Sequence, residues 1–106
     1  MKLSVIIPVF NEAETILELV ERVRQLPLEK ELVLVDDSSS DGSGEILSRL
    51  GSDADTIVLT HPVNRGKGVA IATALRVASG DVVVIQDADL EYDPNDFLKL
   101  IEPIDR

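Results

Sequence analysis

Four times along the chain a short apolar run rich in β-branched residues gives way to a polar turn and then to a stretch of helical period. The runs Leu3 to Val9, Leu32 to Val35, Thr56 to Thr60 and Val82 to Ile85 have strand length, and their alternation with helices predicts an α/β fold built on a parallel sheet. After the first run, Ile16, Leu19, Val20, Val23 and Leu26 form one helical stripe. Asn11 and Glu14 stand ahead of it at capping-box spacing, and Pro27 closes it. Ser38 to Gly44 is a polar turn before a short helix carrying Ile46, Leu47 and Leu50. Asn64 to Gly68, NRGKG, opens a helix whose inward face is Ile71, Ala74, Leu75 and Ala78, with Gly80 as its stop. Asp93-Pro94 supplies an N-cap and a first-turn proline for a last helix with Phe97, Leu100, Ile101 and Ile104 on one face.

Right-handed parallel connections predict a doubly wound, Rossmann-like sheet of strand order 3-2-1-4 with helices on both faces. Its switch point lies between the first and fourth strands, where such sheets bind ligands. The strand tips that meet there read PVFNE (Pro8 to Glu12), DDSSSDG (Asp36 to Gly42) and QDADLE (Gln86 to Glu91). The fourth strand lies at the sheet edge, and its sequence VVVI has no lysine or proline to protect it. A homodimer through that edge, exchange of elements or aggregation is therefore expected.

Composition narrows the choice of ligand. Twenty acidic against ten basic residues give a formal charge of −10 over 106 residues, which argues against a nucleic-acid surface and favours recruitment of divalent cations. The absence of cysteine excludes disulfides and thiolate metal sites. The apolar runs are far shorter than a bilayer span and Met1-Lys2 leads directly into a strand, so the expected location is cytoplasmic.

The acids at the fourth tip are Asp87, Asp89 and Glu91. In extended backbone they share a side and can reach one hard cation, Mg²⁺ or Mn²⁺, whose shell phosphate oxygens and water would complete. The other reading is a solvated acidic loop. Asp36-Asp37 can accept a nucleobase N–H or ribose hydroxyls, or can simply form a turn. A dinucleotide site is excluded at its main phosphate contact, because PVFNEAE contains no glycine. Glu12 either serves a ligand or complements a helix dipole. NRGKG either cradles phosphate through backbone N–H groups and Lys67, or is a structural helix entry. His61, alone before Pro62, reads as a surface loop residue.

Taken in order, SVIIPVFNE, LVLVDDSSSDGS, NRGKG and ASGDVVVIQDADLEYDP closely resemble the nucleotide-binding half of family 2 glycosyltransferases of the GT-A fold, nearest to the dolichyl-phosphate or polyprenyl-phosphate mannosyl and glucosyl synthases. The resemblance covers essentially all of residues 1–106, which it marks as the nucleotide-sugar-binding part of a longer domain. It implies that Pro8, Val9, Phe10, Glu12, Val35 and Asp37 hold the nucleoside, with Phe10 standing where a tyrosine is frequent. Lys67, Asp87, Ala88 and Asp89 would contact the donor. Asp87-Ala88-Asp89 matches the DxD motif, so Asp87, Asp89 and Glu91 become metal ligands, Glu91 at a position where relatives often carry glutamine. The implied donor is a GDP- or UDP-sugar, the implied acceptor a polyprenyl phosphate and the implied transfer inverting. A catalytic base, an acceptor site and any membrane helices are expected after Arg106, placing the longer parent at the cytoplasmic face of a membrane. Two other functions compete: a nucleotide-binding module without transferase activity, and a phosphotransferase. The second is disfavoured because its acidic motif would follow the first strand.

Overall fold

The computed structural model describes residues 1–88. Strands β1 (Leu3–Val9), β2 (Lys30–Asp36), β3 (Thr56–Thr60) and β4 (Val82–Ile85) alternate with helices α1 (Ile16–Arg24), α2 (Ser43–Leu50) and α3 (Lys67–Leu75). All strand pairs are parallel and the order is β3-β2-β1-β4, the doubly wound order expected from the sequence.

The pleat divides the core into two layers. Leu3, Val5, Ile7 and Val9 of β1 and Leu32 and Leu34 of β2 face Ile16, Leu19, Val20 and Val23 of α1 and Leu47 and Leu50 of α2. Ile6, Val33 and Val35 point to the opposite face and pack on Ala70 and Ala74 of α3. Both central strands are buried on both faces, which is why they read as continuous apolar runs rather than as alternating ones. Alanines let α3 lie close to the sheet, and Leu75, expected on the inward face, is 49% exposed.

Three local expectations are corrected. Asn11 does not cap α1: it sits at φ 54 and its side-chain oxygen accepts from the Ser40 N–H at 2.8 Å, while the helix begins at Ile16 behind Thr15. Gly80 does not stop α3, which ends at Leu75 with Arg76 as its cap. Gly80 instead passes against β1, where an added Cβ would meet Ser4 Oγ at 2.6 Å and Ser4 N at 2.7 Å. His61 is not a surface residue but is 6% exposed. The expected helix after Asp93 lies outside the described residues.

Candidate functional site

The strand ladders continue past the strand ends. Asp37 N–H donates to Val9 O at 2.8 Å, His61 N–H to Asp36 O at 2.9 Å and Gln86 N–H to Ile6 O at 2.9 Å. Residues just beyond the tips of β2, β3 and β4 are thereby held in register at the carboxyl edge of the sheet. There a cleft of about 260 Å³ opens, lined by Pro8, Val9, Phe10, Glu12, Asp37, Lys67, Ala70, Asp87 and Ala88. Of the residues singled out from sequence, Val35 lies just below this cleft, fully buried against α3, and Asp89 and Glu91 lie outside the described residues.

One wall is the β1–α1 loop. Phe10 presents a ring that is 49% exposed. Glu12 is half-buried beside it; its N–H donates to Ser43 Oγ at 3.0 Å and its carboxylate lies 3.2 Å from Thr15 Oγ. The DDSSSDG segment braces this loop from behind. Asn11 N–H donates to Ser39 Oγ at 3.0 Å, and Ala13 N–H to Asp41 Oδ2 at 3.1 Å. The Ser43 hydroxyl, followed by the Ala13 N–H, holds the Asp41 carboxyl below its ordinary value.

The adjacent acids Asp36 and Asp37 do different work because the pleat sends them to opposite faces. Asp36 turns toward α2, is 4% exposed and accepts from Ser39 N–H at 3.2 Å. Asp37 turns toward α3, is 3% exposed and is grasped by the β3–α3 loop. Its Oδ1 accepts from His61 Nδ1 at 2.8 Å and from Arg65 N–H at 2.9 Å, and its Oδ2 from Gly66 N–H at 2.8 Å. Asn64 Nδ2 donates to its backbone carbonyl at 3.2 Å. Burial pushes the Asp37 carboxyl up, but the N–H donors of Arg65, His61 and Gly66 outweigh it, and the group is held below its ordinary value. The loop can do this because Gly66 adopts φ 96 and ψ 158, a backbone region that side chains exclude. In NRGKG the Arg65 and Gly66 N–H groups are therefore committed to a carboxylate of the protein itself rather than left for phosphate.

The other wall is formed by Asp87 and Lys67. Lys67 Nζ pairs with Asp87 Oδ1, both side chains remaining partly open to the cleft at 59% and 33% exposure. The adjoining Ala88 is buried, and its carbonyl accepts from Thr15 Oγ at 2.6 Å, which ties this segment to the start of α1. For a divalent cation the described residues offer the Asp87 carboxylate, a hard oxygen donor. No group of three His, Cys, Asp or Glu side chains is gathered around one point among them. That single donor fits an ion that takes most of its shell from phosphate and water.

Sequence reasoning missed His61, Ala70 and Thr15. His61 carried one usable signal: it is the first residue after a strand, at the same sheet edge as Asp37. Ala70 and Thr15 carried none, being a small residue in a helix and a threonine just ahead of one.

Comparison with known proteins agrees with this architecture. The chain is 41% identical over 105 residues to the undecaprenyl-phosphate 4-deoxy-4-formamido-L-arabinose transferase of Pectobacterium carotovorum, covering 93% of this chain and 32% of the relative. It is 36% identical to the enzyme of the same name from Salmonella choleraesuis, covering 98% of this chain and 34% of the relative. It thus spans about a third of the length of the curated relatives it matches. Among solved structures, S. aureus TarS 1–349 in complex with UDP superposes with a TM-score of 0.79 at 29% identity, over 97% of this chain and 32% of that one. The mannosyltransferase PcManGT of Pyrobaculum calidifontis, in complex with GDP-Man and Mn²⁺, superposes with a TM-score of 0.75 at 35% identity, over 82% of this chain and 27% of that one. These neighbours share the GT-A fold of glycosyltransferases. The model of the glycosyl transferase family 2 matches residues 4–106, so the chain belongs to that family.

Proposed function

We propose that residues 1–106 are the donor-binding part of an inverting glycosyltransferase that takes a sugar from a GDP- or UDP-sugar and passes it to a polyprenyl phosphate. The observation that carries this reading is the composition of the cleft from end to end: an exposed aromatic ring at Phe10, a buried acceptor-only carboxylate at Asp37, and the Lys67–Asp87 pair opposite. Phe10 offers a stacking face to the base. Asp37 Oδ1 already receives two donors whereas Oδ2 receives one, so Oδ2 is the atom with capacity for a base N–H. Uracil and guanine carry such a ring N–H. Lys67, paired with Asp87 at the cleft wall, would also contact the diphosphate.

Asp87, with Asp89 and Glu91, would hold Mg²⁺ or Mn²⁺, which when bound would neutralise the charge gathering on the departing nucleoside diphosphate. The bound UDP in one structural neighbour and the GDP-Man and Mn²⁺ in another support this donor class, and the names of the curated relatives support the lipid-phosphate acceptor. Because the chain spans about a third of the length of its curated relatives, the transfer step is proposed for the whole protein and donor binding for these residues. No helix among the described residues is long and apolar enough to cross a membrane. A membrane-facing role would rest on other segments.

Amide shift mapping by NMR tests the reading. Adding UDP or GDP with Mg²⁺ should move the signals of Phe10, Glu12, Asp37 and Lys67. Those of Arg24 and Asp53, joined by an ion pair in another part of the fold, should stay put. Shifts concentrated at Arg24 and Asp53 would refute the assignment of the cleft.

A further inference from the structure

His61 is a nearly fully buried imidazole with both ring nitrogens engaged, and the donor-binding reading gives it no part. Nδ1 lies 2.8 Å from Asp37 Oδ1 and Nε2 lies 2.9 Å from Thr73 Oγ. An ionised carboxylate only accepts, so Nδ1 carries a proton and donates it. At the other end Thr73 can serve the ring as donor or acceptor, because its hydroxyl also reaches Val69 O at 3.0 Å. The ring is thus anchored on α3 and pushes a fixed N–H at Asp37 from β3. With Arg65 N–H it fills Oδ1, so the carboxylate cannot rotate to exchange its two oxygens without breaking these bonds.

We propose that His61 is the positioning residue for nucleobase selection: by saturating Asp37 Oδ1 it leaves Oδ2 as the acceptor facing the cleft, favouring bases with a ring N–H, such as uracil and guanine, over cytosine and adenine, which present a lone pair there. This rests on the reading of Asp37 as the base-facing acceptor. Removing the ring N–H leaves Oδ1 and Oδ2 with one donor each and lets the carboxylate turn. The consequence is a loss of discrimination between bases rather than a uniform loss of phosphate binding.

The test uses two amides that mimic different ends of the ring. In His61→Asn the amide nitrogen can stand near the place of Nδ1 and still donate to Asp37. In His61→Gln it stands near the place of Nε2 and reaches Thr73 instead. Calorimetric titration of UDP, GDP, CDP and ADP at one fixed Mn²⁺ concentration gives the ratio of affinities for uracil and guanine nucleotides over cytosine and adenine nucleotides. Loss of one charge-assisted hydrogen bond should lower that ratio about tenfold in His61→Gln. His61→Asn should stay within about threefold of the parent. Equal ratios in the two variants, whether both preserved or both lost, would overturn the proposal, since His61 would then be only a packing residue. A parent that does not discriminate, or an Asp37→Asn variant with an unchanged ratio, would bring down the reading of Asp37 itself. An Asp37→Asn variant that loses discrimination while His61→Gln keeps it would bring down the role of His61 alone.

Discussion

The Thr15 hydroxyl, at the helix-capping position of α1, does not cap its own helix and donates instead to the carbonyl of Ala88, 2.6 Å away and 73 residues along the chain. An N-cap threonine that satisfies its helix contributes about 1 kcal/mol, and here that contribution is set aside for a bond across the cleft wall. The same hydroxyl lies 3.2 Å from Glu12 Oε2. One side chain therefore joins a cleft residue of the β1–α1 loop to the acidic stretch after β4.

Thr15→Val keeps the shape and removes the hydroxyl that donates to the Ala88 carbonyl. We expect a stability loss of about 1–2 kcal/mol in urea unfolding. We also expect weaker Mn²⁺-dependent UDP binding, with Thr15→Ser restoring both. Restored stability without restored binding in Thr15→Ser would show that the bond to Ala88 does not serve the site.

Gly80→Ala should be among the most damaging single changes in the chain. The new methyl would enter within 2.7 Å of the Ser4 backbone nitrogen, which belongs to the central strand and cannot move aside. Overpacking of this kind costs roughly 1–3 kcal/mol, to be read as a fall in the thermal midpoint. Gly68→Ala is the comparison, since nothing lies within 4 Å of a Cβ there. Equal midpoints for the two variants would contradict the close approach.

Stability should fall in acid through two buried carboxylates. Burial pushes the Glu31 carboxyl up, but the Ser4 hydroxyl, the N–H and hydroxyl of Ser79 and the charge of Lys2 outweigh it, and the net shift is downward, as for Asp37. A carboxyl with a lowered folded pKa stabilises the fold fully above its unfolded value. That contribution is lost as pH drops through the folded value. Denaturant midpoints should accordingly hold near neutrality and decline below the ordinary Glu31 value of 4.5. Glu31→Gln should start lower at pH 7 and decline less. A variant that keeps the full acid decline would remove Glu31 from the explanation.

Strand β4 is the outer strand on its side of the described sheet, with Val83 41% and Ile85 48% exposed. We expect self-association through this edge, visible as a concentration-dependent mass in light scattering and suppressed in Val83→Lys. A parent that stays monomeric at every concentration would mean that other residues cover the edge.

Much of this was legible in the sequence. The four strands declared themselves as apolar runs, and the doubly wound pattern ordered them 3-2-1-4, which in turn brought Phe10, Asp37 and Asp87 to one edge. The hydrogen bonds that finish the site were not legible. Asp36 and Asp37 look interchangeable as letters, yet the pleat buries one against the turn before α2 and the other against the loop before α3. Thr15 carries no signal in the sequence, and only the tertiary fold brings its hydroxyl to the Ala88 carbonyl. Gly80 looks like a helix stop, and only the path of β1 beneath it reveals a steric role. Each miss is a contact between residues far apart in sequence, where local propensity has no information.

Calorimetric titration of the chain with UDP and with GDP, with and without Mn²⁺, tests the central claim most directly. The account predicts weak binding that depends on the metal, because much of the diphosphate contact would pass through a cation held at Asp87. Asp87→Asn should remove most of the metal dependence. Affinities that are the same with and without Mn²⁺, or no heat of binding for either nucleotide, would contradict it.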